Sequence, residues 1–216
     1  MDVQVIGREE IRESYERYLE YVGNTLKEAG RDQGRRHSFR SRTLHTRRVL
    51  RWAKRLCEGR IDVDKEVLFL AVIFHDIGYV SESLDGHQYV SEKMFREFAG
   101  IHHFDSSLVD QVCACISIHS DKEKLECPDN LTIEQILLME ADLLDEEGAL
   151  AICWDGMACG YEGKLTYEAC LERTKSEFAL KRGHNPMVTD LAKKYWNDKM
   201  EYVEDYIRRL ELDLEM

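Results

Sequence analysis

The chain is 216 residues long, 44% hydrophobic and 33% charged, with a formal net charge of −12 at pH 7. This composition belongs to a soluble globular protein with room for a buried core. No apolar run nears the roughly 20 residues of a membrane helix, and the acidity argues against broad nucleic-acid binding.

Met1 to Arg8 lack the basic-then-apolar order of a secretory signal, and neither end carries a lipidation motif, so the expected address is the cytoplasm. Only Pro128 and Pro186 interrupt long stretches of Glu, Lys, Arg, Leu and Ala in which apolar residues recur at steps of three and four. That pattern predicts an all-α protein. Ile11, Tyr15, Tyr18, Val22 and Leu26 mark a first amphipathic helix. Val49, Trp52, Ala53 and Leu56 mark a second, capped by Ser38 or Ser41. A third, about 64 to 77, starts among Asp62, Asp64 and Glu66 and ends at Gly78. Its apolar run would also suit a buried strand, and its all-round hydrophobicity makes it central. Further helices are predicted at about 86 to 99, 106 to 120 behind Asp105, 132 to 147, 148 to 160, 166 to 182 and 189 to 213, with Gly100, Pro128, Gly163 and Gly183 as punctuation. Trp196, Met200, Val203, Ile207 and Leu210 give the last helix an apolar stripe for packing along the body or against a second subunit, which makes a homodimer one expected arrangement.

Seven cysteines form no C-x-x-C pair, so a thiolate zinc site is not expected, and Cys113 and Cys115 read as buried reduced thiols among Val112, Ala114 and Ile116. Polar groups inside apolar segments are more informative. His75 and Asp76 close the run Ala71-Val72-Ile73-Phe74, and Asp142 sits within Leu137-Leu138-Met139-Glu140-Ala141-Asp142-Leu143-Leu144. Desolvating a carboxylate costs several kcal/mol without a compensating partner, and a divalent metal is a compensator that also takes a neighbouring imidazole. For Asp142 an ion pair with an arginine is the alternative. His45 precedes Val49 by four residues and projects from the buried side of its helix, a position that a hydrogen-bonded core histidine also occupies. Residues 31 to 55 hold ten Arg or Lys against the single acid Asp32. Such a zone can hold a small anion such as a phosphate ester, or can be a solvated helix face. Arg42 and Arg48 lie three residues either side of His45 and can flank whatever it binds.

His45, then His75-Asp76-Ile77-Gly78, then Ala141-Asp142-Leu143-Leu144-Asp145, each on a predicted helix, resemble the HD-domain superfamily of metal-dependent phosphohydrolases, in its HD-Ile-Gly variant. The resemblance covers about residues 38 to 160, leaving 1 to 37 as an N-terminal helical extension and 161 to 216 as C-terminal helices that cover the core or dimerise. It implies an all-α helical bundle in which His45, His75, Asp76 and Asp142 hold one divalent ion. With Asp76 bridging, His87 and His119 help to hold a second. Mn²⁺, Fe²⁺, Co²⁺, Zn²⁺ and Mg²⁺ are all compatible with imidazole and carboxylate ligands. Arg42, Arg48 and, after His119, Lys122 are the candidates for phosphate contacts, and Glu82 and Asp85 join Asp76 as candidate catalytic groups that orient the water.

The chain also departs from particular branches. Tyr79 stands where a lysine often follows HD-Ile-Gly, and no His-His pair or Gly-Tyr-Pro sequence accompanies His119, which disfavours a cyclic-dinucleotide phosphodiesterase. No Glu-Asp pair follows the motif, which disfavours hydrolysis of the alarmone pyrophosphate. What remains resembles small bacterial HD phosphohydrolases acting on nucleotides or related phosphate compounds. Two other classes share these ligands: HD-type di-iron oxygenases related to inositol oxygenase, and non-catalytic HD modules that bind a nucleotide and signal through a partner.

Overall fold

The computed structural model describes residues 5–33, 39–81 and 86–215, and among these there are ten α-helices. They are α1 (Arg8–Glu13), α2 (Tyr15–Glu28), α3 (Arg42–Leu56), α4 (Lys65–Phe74), α5 (His87–Ile101), α6 (Ser106–Ile118), α7 (Ile133–Asp145), α8 (Ala149–Tyr161), α9 (Tyr167–Lys181) and α10 (Asp190–Asp213). The only pairing of extended backbone among the described residues is an isolated antiparallel bridge between Gln33 and Ser41. The chain is therefore all-α, as the apolar periodicity predicts, and no helix among the described residues is long and apolar enough to cross a membrane. It divides into two compact units, Met1–Ala141 and Asp142–Met216.

In the first unit α4 is the central element: every residue from Val67 to Phe74 is buried. Asp64 starts it by accepting from the backbone N–H groups of Glu66 (3.1 Å) and Val67 (3.3 Å), which settles the strand-or-helix ambiguity of its apolar run. Helices α2, α3 and α6 pack on it. Beside it Tyr18, Phe74, Phe95, Phe98 and Phe104 form a connected aromatic cluster with ring centres 5.0–6.4 Å apart.

The first predicted helix is in fact two. Ser14 lies between α1 and α2, and its hydroxyl donates to the Glu10 carbonyl at 2.7 Å while accepting from Arg17. Back-bonding of this kind competes with the helical ladder and bends it. The separate α1 is anchored by Arg8, which reaches Asp64 (2.6 Å) and Glu66 (3.1 Å), and by Arg12, which pairs with Glu66. Helix α5 runs through Gly100 to Ile101 instead of stopping at the glycine. Cys113 and Cys115 are buried and reduced; burial pushes the Cys113 thiol up to about 12 and raises Cys115 as well.

In the second unit α8, α9 and α10 pack on one another around Leu171, Val203 and Ile207, with Ile152, Phe178, Tyr206, Leu210 and Leu214 around them. The stripe on α10 therefore meets α8 and α9 of its own chain. Asp155 on α8 accepts from Thr174 (3.0 Å) and Arg173 (3.2 Å) on α9, a buried polar tie between the two helices.

Candidate metal centre

The site begins with the anchoring of α3. Ser41 caps the helix by accepting from the Leu44 N–H at 3.2 Å, while the predicted alternative cap, Ser38, lies outside the described residues. Asp32, the single acid of the basic zone, accepts from the Thr43 N–H at 2.9 Å, the Thr43 hydroxyl at 2.5 Å and the Ser41 hydroxyl at 3.1 Å. Burial alone would raise its carboxyl, but the hydrogen bonds from Thr43 and Ser41 outweigh it and hold it below the usual value. Asp32 thus fixes the helix start that presents Arg42 and, one turn on, the buried His45.

At the other end of α4 the chain leaves the helix inside the motif. His75 keeps helical dihedrals, whereas Asp76 (φ −106°, ψ 2°) lies in the bridge region and leads into a 3-10 turn, Ile77–Val80. Ser91 on α5 clamps this turn. It accepts from the Gly78 N–H at 2.8 Å and donates to the His75 carbonyl at 2.6 Å, and it is fully buried. The clamp sets α5, whose first residue is His87, against the His75-Asp76 pair. Ser91→Ala is expected to lower stability by about 1–3 kcal/mol, because it leaves a buried N–H and a buried carbonyl without this partner. A urea midpoint that drops while the slope stays constant would show it.

Five side chains converge on Asp76. Its Oδ1 lies 3.5 Å from His75 Nε2, 3.4 Å from His87 Nε2 and 3.6 Å from His119 Nε2. Its Oδ2 lies 3.7 Å from His45 Nε2 and accepts from Arg42 Nη1 at 2.9 Å. Ligand atoms of His45, His75 and Asp76 fall within 4.8 Å of one another, and so do those of Asp76, His87 and His119. Burial alone would raise the Asp76 carboxyl, but His75, His119, His87 and Arg42 outweigh it and hold it well below the carboxylate range. Tyr79, on the 3-10 turn, stacks on the His87 ring (centres 4.0 Å apart, planes at 16°) and lies beneath the Arg42 guanidinium, 3.2 Å from its ring centre.

The donor set fits a divalent ion. His75 Nδ1 lies 2.7 Å from the Val72 carbonyl, and His119 Nδ1 lies 2.7 Å from the Ile116 carbonyl. A carbonyl only accepts, so each Nδ1 carries the hydrogen, and in the neutral imidazole each Nε2 turns a lone pair toward Asp76. Lone pairs of imidazole and carboxylate meeting at one point call for a cation between them, and carbonyl-oriented imidazoles are the usual support of metal ligands. Two ligand atoms each bonded to one ion at 2.0–2.2 Å sit about 3–3.5 Å apart, close to the spacings around Oδ1.

Arg48 is half-buried on α3, one turn beyond His45, and Lys122 begins a 3-10 turn, Lys122–Glu126, three residues after His119. Asp142 lies on α7 and is the first residue of the second unit. Glu82 and Asp85 lie outside the described residues. Sequence reasoning missed Ser91 and Asp32. The one available signal for Asp32 was its isolation as an acid within a basic stretch.

Residues 42–147 match the HD domain family, and that stretch of the chain is an HD domain. Solved structures share the fold along almost its whole length at low identity. The Lin1889 protein from Listeria innocua is 20% identical, with 98% of this chain and 99% of that one covered and a TM-score of 0.65. YpgQ from Bacillus subtilis, solved in complex with ADP, is 20% identical, with coverage of 94% and 96% and a TM-score of 0.62. An HD-superfamily hydrolase from Bacillus thuringiensis is 20% identical, with coverage of 95% and 98% and a TM-score of 0.63. No curated protein matches the chain.

Proposed function

We propose that this protein is a metal-dependent phosphohydrolase that cleaves a phosphate ester or anhydride of a nucleotide or a similar small phosphorylated compound. The observation that carries the reading is the convergence of four imidazoles on the two oxygens of one buried carboxylate, Asp76. In this reading His45, His75, Asp76 and Asp142 hold one divalent ion, and Asp76 shares a second with His87 and His119. When bound, such an ion acidifies a water molecule and offsets the charge that builds on the phosphoryl oxygens. The residues of the chain supply position. Arg42, already at the rim of Asp76, and Arg48 offer forked donors to phosphate oxygens, Lys122 offers a third cation, and Glu82 and Asp85 orient the attacking water. The ADP held by YpgQ, a protein of the same fold, supports a nucleotide as the substrate class.

The test is a screen of nucleotides and phosphate esters with Mn²⁺, Co²⁺, Fe²⁺, Zn²⁺ and Mg²⁺, scoring released phosphate and pyrophosphate. Turnover that chelator abolishes and metal restores is expected. Substrate-dependent oxygen uptake with a mixed-valent di-iron signal in anaerobically purified protein would replace this reading with an oxygenase. Arg48→Ala is expected to raise KM about tenfold, the worth of one charge-assisted hydrogen bond, and to leave kcat nearly unchanged in steady-state kinetics.

A further inference from the structure

Resting on the metal-centre reading above, we propose that Tyr79 is a positioning residue for the His87-side ion: its ring holds His87 in the plane from which that imidazole can ligate. His75 and His119 each have an Nδ1 fixed by a backbone carbonyl. Among the described residues His87 lacks that support. Its hydrogen-bonding contacts among the described residues run from Nε2 to His119 Nε2 and to the Ser120 hydroxyl, both at 3.2 Å, and no carbonyl among the described residues takes its Nδ1 hydrogen. The flat face of Tyr79 lies against it instead, nearly parallel and 4.0 Å away.

The other face of the same ring is also used. Arg42 Cζ sits 3.2 Å from the Tyr79 ring centre, and two groups this close to one centre cannot share a face. Arg42, Tyr79 and His87 therefore form a three-layer stack. Its outer members address opposite oxygens of Asp76, Arg42 reaching Oδ2 at 2.9 Å and His87 Nε2 facing Oδ1 at 3.4 Å. The middle layer is tied to the motif itself, since the Tyr79 N–H donates to the Asp76 carbonyl at 3.2 Å. A lysine at this position would supply no flat face. The tyrosine that departs from the HD-Ile-Gly pattern thus performs for His87 the orienting task that main-chain carbonyls perform for His75 and His119.

Cobalt(II) added to metal-stripped protein, followed by calorimetry and visible absorption, tests this with metal alone. The wild type and Tyr79→Phe are expected to bind two equivalents, with affinities within about threefold of each other, because the stack uses the ring and not the hydroxyl. Tyr79→Leu, and the longer Tyr79→Met as a second ring-free variant, are expected to weaken the second ion about ten- to hundredfold and leave the first unchanged, matching His87→Ala. Circular dichroism monitors the fold of each. Ring-free variants that load both ions like the wild type overturn the role of Tyr79, and so does a Phe variant as weak as Leu. A wild type that takes up one ion overturns it as well. A wild type that binds no cobalt overturns the metal centre itself, which separates that failure from this one.

Discussion

Asp76→Ala is expected to lower metal-dependent hydrolysis by at least about a thousandfold while leaving the helical content nearly intact. Loss of a single electrostatic stabiliser in a closed site costs about a hundred- to thousandfold, and Asp76 faces both imidazole sets. His75→Ala should follow it, since His75 Nε2 faces the same oxygen. Arg42, with its side chain 13% exposed, has a way out to solvent, so the fold should tolerate the change. Steady-state kinetics and circular dichroism on the same samples check both halves. The metal-stripped proteins add a pH signature. Asp76 is held well below the carboxylate range by surroundings that outweigh its burial. A depressed folded-state value adds stability above the ordinary carboxylate range and loses it as acid protonates the native state. The stability gap between wild type and Asp76→Ala should therefore be full near neutrality and close as pH falls through the lowered value. Urea midpoints measured at several pH values in chelator would read it, and a gap that widens in acid would contradict the assignment.

The parts of this protein that a reader of the sequence can see are those in which one residue type serves one local purpose. Asp64 and Asp105 each precede an apolar periodic run and each caps its helix, Asp105 by accepting from the Ser107 and Leu108 N–H groups at 3.0 and 3.1 Å. The helix bounds of α6 to α10 follow from the same grammar. His45, His75 and Asp76 are conspicuous because each is a polar side chain in an apolar setting, and the structure brings them together with His87 and His119. What the sequence hides are contacts across the chain. Ser14 reads as an ordinary helical residue until its hydroxyl turns back on Glu10. Ser91 reads as a small residue on an amphipathic helix, yet it bonds two backbone groups 13 and 16 residues away. The end of α4 at Phe74, short of the predicted Gly78, is invisible for the same reason: the turn that begins at Asp76 is held by Ser91, and no punctuating residue stands at that point.

Gly78→Ala is expected to cost about 3 kcal/mol or more of stability and to dislodge the His87 side of the centre. The position needs space rather than unusual dihedrals, for Gly78 is not among the residues with positive φ. A Cβ added there would lie 2.6 Å from Ser91 N and 2.7 Å from Ser91 Oγ, and closer still to the His87 carbonyl oxygen. Two of those three atoms are backbone of the first turns of α5, so no rotamer change relieves the clash. The helix must retreat, stretching the Gly78 to Ser91 hydrogen bond and drawing His87 away from Asp76 and from the face of Tyr79. The glycine of the motif thereby acts on the proposed metal centre through packing: it allows one helix to approach the turn that carries Asp76. The expected variant unfolds at lower denaturant and, under conditions where it is still folded, binds cobalt(II) more weakly at the second equivalent than at the first. An unchanged unfolding midpoint would show that α5 can yield without cost, and the close approach would then have no part in building the site.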